Sequence, residues 1–182
     1  MNFLPTAIPD VILIEPTVFR DERGYFLEAW QERDLRAAGL TAGFVQDNHS
    51  MSVQNVLRGL HYQRRRPQGK LVRVVTGNVY DVAVDLRRSS PTFGQWVGQH
   101  LSGANHRMLW IPPGFAHGFY TLAGPAHFLY KCTEYYASGD EQCIRWDDPA
   151  LGIQWPIPSG THPLVGPKDM AGILLDQAEL FL

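Results

Sequence analysis

Hydrophobic positions in this chain mostly alternate instead of recurring every three or four residues. Short apolar or alternating runs cover Gly43 to Asp47, Lys70 to Thr76, Asn78 to Leu86, Gln95 to Leu101, Arg107 to Ile111, Ala126 to Tyr136 and Glu141 to Trp146. Clusters such as Ser89-Ser90-Pro91 and Ser102-Gly103-Ala104-Asn105 separate them. Runs of period two with this punctuation predict strands. The strongest helical signal spans Gln31 to Ala38 and closes at Gly39, where glycine suits a left-handed cap; a weaker one lies near Ala171 to Leu180. Many short strands and few helices predict a mainly β fold, an antiparallel sandwich or barrel of which the jelly roll is a natural member. Pro156 to Pro167 reads as a crossing before the tail and not as a boundary, so residues 1–182 read as one domain.

Alternation also sorts side chains by face. Phe128, Tyr130, Cys132, Glu134 and Tyr136 fall together, as do Lys70, Val72 and Val74, and Asp81, Ala83 and Asp85. Charges aligned with apolar neighbours suit a pocket inside a small barrel. Arg58 and His61 are an odd number apart and fall on opposite faces of a regular strand, unless Gly59 permits a bulge that turns both inward.

Composition narrows the class. With a formal net charge of −2 and a pI near 6.4, the chain has no overall electrostatic reason to bind nucleic acid or an anionic membrane. Cys132 and Cys143 lack CxxC spacing and suit two reduced thiols in a cytoplasmic protein better than a disulfide framework, with a single bridge left open. The first ten residues have no basic segment and contain Pro5 and Pro9, so no signal peptide is expected. Arg64-Arg65-Arg66 reads as a solvated loop, and Gly59 to Lys70 lacks the spacing of a phosphate-binding loop.

The candidate chemistry sits in two places. Pro112-Pro113-Gly114-Phe115-Ala116-His117 resembles the second signature of the cupin superfamily, whose fold is a jelly roll or double-stranded β-helix. Metal-binding cupins carry an HxH pair in a first signature; Gly59-Leu60-His61-Tyr62-Gln63 offers one histidine and then Gln63. His49, His100, His106, His127 and His162 show no ligand spacing, so no metal site is expected.

A closer resemblance runs through the chain from about Asp10 to Asp169. Asp21-Glu22-Arg23-Gly24, Gln46-Asp47-Asn48-His49-Ser50, Val56 through Gln63, Gln68-Gly69-Lys70-Leu71-Val72, Asp81 through Arg87, Trp110 through Phe119, Tyr130-Lys131 and Trp146-Asp147-Asp148-Pro149 are similar, in order, to the dTDP-4-dehydrorhamnose 3,5-epimerase family. The resemblance implies a metal-free, cofactor-independent isomerase. Such an enzyme inverts C3 and C5 of dTDP-4-dehydro-6-deoxy-D-glucose on the way to dTDP-rhamnose and cell-surface polysaccharide.

It further implies His61 as base, Tyr130 as acid and Lys70 near the enolate oxygen. Asp169 is the best match for the carboxylate behind His61, with Asp81 as the alternative partner of His61 or His117. Arg23, Arg58 and Lys168 would meet the diphosphate and Tyr136 the base. Glu28, Gln46, Asp47, Asn48, His117 and Glu141 complete the implied substrate contacts, and a homodimer is implied in which Arg23 and Glu28 reach the neighbouring site. Competing readings are a single-centre epimerase of a related sugar, a metal-dependent cupin oxygenase and a non-catalytic sugar-binding cupin.

Overall fold

The computed structural model describes residues 1–182. In chain order the strands are β1 (Asn2–Pro5), β2 (Ile12–Glu15), β3 (Val18–Asp21), β4 (Gly24–Leu27), β5 (Gln46–Ser52) and β6 (Val56–Gln63). They continue as β7 (Lys70–Asp85), β8 (Trp96–Ser102), β9 (Met108–Ile111), β10 (Phe115–Cys132), β11 (Glu141–Cys143) and β12 (Leu164–Val165). The helices are α1 (Glu32–Ala37), α2 (Pro167–Met170) and a 3-10 turn at Leu175–Gln177.

Two long antiparallel strands, β7 and β10, build a double-sheet jelly roll by each serving two sheets. Lys70 to Arg73 of β7 pair with β9, while Asn78 to Val84 pair with β8. β10 runs beside β7 along its length, with β6 on its first half and β5 on its second. One half is therefore β1-β2-β9-β7-β10-β5 and the other β8-β7-β10-β6-β11. The halves meet at a bend where the β10 register shifts between Thr121 and Phe128. Gly77 makes this bend possible: its φ is +81°, and a Cβ there would stand 2.6 Å from the Ala126 Cα.

Each sheet is covered on both faces. Val72, Val74, Ala83, Phe119 and Phe128 fill the space between the halves. Leu60, Val82, Val84 and Leu86 pack outward against Leu151, Ala178 and Leu180 of the tail. Leu35 of α1 closes on Leu71, Met108 and Trp110.

Helix α1 falls where the sequence places it, with the Gln31 side chain accepting from the Asp34 N–H at 3.1 Å and Gly39 at φ +85° beyond its end. Other boundaries differ. The two runs on either side of Gly77 are one bent strand, and the Ala126–Tyr136 run is the end of β10, which stops at Cys132 and leaves Tyr136 in a loop. No helix spans Ala171 to Leu180. The tail there is largely extended, bridging Ile173 to Ile144 and Phe181 to Arg87, because its apolar residues cover a sheet face. No helix is long and apolar enough to cross a membrane.

Candidate active site

The cleft lies at the end of the sandwich where β6, β7 and β10 meet the loop before β11 and helix α2. It has two adjoining chambers of about 290 and 390 Å³, and His61, Lys70, Tyr130 and Glu141 line both. Gln46, Asn48, Gln63 and Tyr136 line the first; Arg58, His117, Lys168 and Asp169 line the second.

A bulge brings the base inward. His61 pairs with His117 and Arg58 with Phe119, so three steps along β6 match two along β10. Arg58 and His61 both reach the second chamber as a result. Gly59 sits in the bulge at φ +123°, where a Cβ would lie 2.5 Å from the Gly118 Cα and 2.8 Å from the His117 carbonyl oxygen. Only glycine fits.

Helix α2 carries the carboxylate. Asp169 Oδ1 lies 2.6 Å from His61 Nε2 and accepts the Gly59 N–H at 3.0 Å, so one oxygen holds both the base and its bulge. His61 Nε2 is nonetheless a buried nitrogen without an aligned hydrogen bond. Burial opposes ionisation of Asp169, but the His61 contact and the Gly59 N–H, with the charges of His61 and Arg58, hold its carboxyl below the usual range.

Asp81 belongs to the other histidine. It lies 2.9 Å from His117 Nε2, both groups being buried. Burial pulls the His117 pKa down against the opposing pull of Asp81, with Lys70 and His61 adding to the decrease. A neutral ring that donates from Nε2 to Asp81 presents Nδ1 as an acceptor.

Burial lowers the Lys70 pKa, with Cys132, Asp81 and Glu141 resisting, and its ammonium enters none of the cleft's ion pairs. Burial raises that of Tyr130, so the phenol stays protonated. The cation that favours its anion is Arg58.

Tyr136 is held although it has left the strand. Its hydroxyl donates to Glu141 Oε2 at 2.9 Å, the same oxygen accepts from Lys168 Nζ at 2.8 Å, and its N–H donates to Gln46 Oε1 at 2.9 Å. Gln46 Nε2 in turn donates to Asn48 Oδ1 at 3.0 Å. Gln63 pins the same loop, donating to the Arg66 and Tyr135 carbonyls and accepting the Ala137 N–H at 2.7 Å. This loop-anchoring role has no signature in the sequence beyond Gln63 standing where a ligand histidine would be.

Two of the cupin metal positions are engaged elsewhere, Gln63 with the loop and His117 with Asp81. Cys132 and Cys143 are free thiols. Cys143 lies opposite His61 in the β11–β6 register and was not expected near the site.

Three sequence candidates stand away from this cleft. Arg23 is on the tip of the exposed β3–β4 hairpin, bonded to Asp21 at 2.6 Å. Glu28 is exposed just beyond β4. Asp47 faces the opposite side of β5 from Gln46 and Asn48 and pairs with Lys131 at 2.8 Å.

A jelly roll holding a histidine–carboxylate pair, a protonated tyrosine and an unpaired lysine in one cleft defines a cupin-type enzyme equipped for proton transfer. The sequence model of the dTDP-4-dehydrorhamnose 3,5-epimerase family matches residues 5–177. The dTDP-4-dehydrorhamnose 3,5-epimerase of Pseudomonas aeruginosa is 56% identical over 176 residues, covering 96% of each chain. That of Salmonella typhimurium is 56% identical over 182 residues, covering 99% of this chain and 98% of its own. The crystal structure of the Legionella pneumophila dTDP-6-deoxy-D-glucose-3,5-epimerase in complex with dTDP-4-keto-L-rhamnose superposes with a TM-score of 0.94 at 51% identity, over 98% of this chain and 94% of that one. This chain belongs to the dTDP-4-dehydrorhamnose 3,5-epimerase family of isomerases.

Proposed function

We propose that this protein converts dTDP-4-dehydro-6-deoxy-D-glucose to dTDP-4-dehydro-L-rhamnose by inverting C3 and C5 in turn, a step in dTDP-L-rhamnose biosynthesis. The observation that carries this reading is the His61–Asp169 pair sharing a cleft wall with Tyr130 and the unpaired Lys70.

The 4-keto group acidifies the hydrogens on C3 and C5. His61 takes one as a proton, and the electron pair of the broken C–H bond moves into an enolate whose oxygen meets the Lys70 ammonium. Asp169 stabilises the imidazolium. An ammonium whose pKa burial has lowered is a stronger hydrogen-bond acid toward that oxygen. Tyr130 then delivers a proton to the opposite face, inverting the centre, and solvent restores both groups before the second carbon reacts.

Arg58 and Lys168 are suited to the diphosphate and Tyr136 to stacking on the nucleotide base. We read residues 1–182 as one domain, since β7 and β10 run through both halves. Its place in the cytoplasm is an inference from the nucleotide-sugar chemistry and the two free thiols.

We further infer a homodimer. The β3–β4 hairpin pairs with no other strand and exposes Phe19, Tyr25 and Phe26 at 59%, 50% and 65%. Such an arm is suited to cover a second copy's cleft, carrying Arg23 and Glu28 with it.

The test is incubation with the keto sugar in deuterated water, followed by NMR at C3 and C5. Deuterium at both carbons with inverted configuration is the expected result. Inversion at one carbon alone makes the protein a single-centre epimerase, and no exchange at either removes the reading.

A further inference from the structure

We propose that His61, Asp169 and Cys143 together form a site for a thiophilic divalent cation of the Zn²⁺ or Cd²⁺ class, and that occupancy of this site silences the enzyme by withdrawing its base. The kinetic half of this inference rests on His61 being that base; the binding half does not.

The three side chains supply nitrogen, oxygen and sulfur donors, and their ligand atoms all lie within 4.8 Å of one another. They come from three separate elements. Cys143 and His61 are directly opposed residues of β11 and β6, which places their side chains on one face, and Asp169 approaches from α2. Tetrahedral zinc with bonds of about 2.0–2.3 Å sets its ligand atoms about 3.3–3.8 Å apart. The trio's separations bracket that spacing: the 2.6 Å His61–Asp169 contact would open and the sulfur, within 4.8 Å of both, would close in.

Binding through Nε2 would replace the proton that lies between His61 and the Asp169 carboxylate across their 2.6 Å contact. Cys143 is a free, partly buried thiol beside this pair, committed to no disulfide. On binding, the S–H bond breaks, the metal–sulfur bond forms and the proton leaves to solvent; no oxidation state changes. Three protein ligands leave a fourth position open. This set shares only His61 with the cupin positions, since neither Gln63 nor His117 takes part.

The test titrates the full-length protein with Cd²⁺ and follows cadmium–thiolate charge-transfer absorption, then measures deuterium exchange into the keto sugar under chelator-buffered Zn²⁺. One Cd²⁺ per chain should bind with this absorption, and Zn²⁺ should stop exchange until EDTA is added. Cys143→Ser should keep its basal exchange, lose the absorption and need at least about tenfold more Zn²⁺ for inhibition. Cys132→Ser should behave as the wild type, and His61→Ala should weaken Cd²⁺ binding at least about tenfold. Absorption that survives in Cys143→Ser or disappears in Cys132→Ser overturns the site, as does equal Zn²⁺ sensitivity of wild type and Cys143→Ser. Cd²⁺ bound through Cys143 without loss of exchange leaves the site standing and removes His61 as the base.

Discussion

At the scale of single residues, the cleft assigns separate tasks to groups the sequence could only gather. His61→Ala should abolish solvent exchange at both C3 and C5, because the proposed reaction takes both protons through His61; full exchange in that variant removes the assignment. Tyr130→Phe should retain more exchange than inversion, since abstraction outlives delivery from the far side, and equal losses would count against an acid role. Asp169→Asn should lower kcat about 10²–10⁴-fold with a smaller change in KM, as the imidazolium loses its counter-charge. Steady-state kinetics on the folded variant check this. Which carboxylate serves which histidine was open in the sequence: the strand face marks Asp81 as interior, but only the packed structure gives it to His117 and leaves Asp169 for His61. The part played by Cys143 was not legible, because strand register and not sequence spacing sets it beside His61.

At the scale of elements, the working unit is the β6 bulge and the helix that ties it down. Gly59→Ala should cost about 3 kcal/mol or more, since the added carbon meets backbone at 2.5 Å and φ is +123°. Urea unfolding measures this, and a loss under about 1 kcal/mol would show that the strand relaxes around the methyl. Alternation made β7, β8, β9, β11 and the second half of β10 legible, with part of β5. β1 to β4 and β12 were not, being four residues or fewer and too short to display a period, and β6 and the first half of β10 stood out only as motifs because their bulge and glycines break the alternation. Helix α2 was lost for the same reason: Pro167 to Met170 is one turn, so Asp169 could be matched by resemblance but not placed.

At the scale of the whole molecule, two predictions concern assembly and acid. Asp85 is buried and accepts from Arg87, Ser90 and Thr92, which, against the cost of burial, lower its pKa to about 2. A depressed carboxylate contributes stability that is full above its unfolded pKa of about 4 and lost as pH falls toward about 2. Asp85→Asn should therefore be less stable by about 2 kcal/mol near neutral pH, with the gap closing as pH drops through that window. Urea titrations at several pH values decide this, and a pH-independent gap would mean the loss is one of packing. For assembly, Arg23→Ala and His61→Ala chains, each nearly inactive alone, should regain about a quarter of wild-type activity when mixed and re-equilibrated, because half the dimers then hold one intact site. No recovery would confine Arg23 to its own subunit. One further consequence follows from the oxygen shared by Gly59 and His61. Asp169 is translated 110 residues after Gly59, so during synthesis the strands that wall the cleft emerge well before the group that orients the base. A growing chain can close its sandwich early and still be inert. The ability to move protons arrives with α2, which follows every strand that walls the cleft.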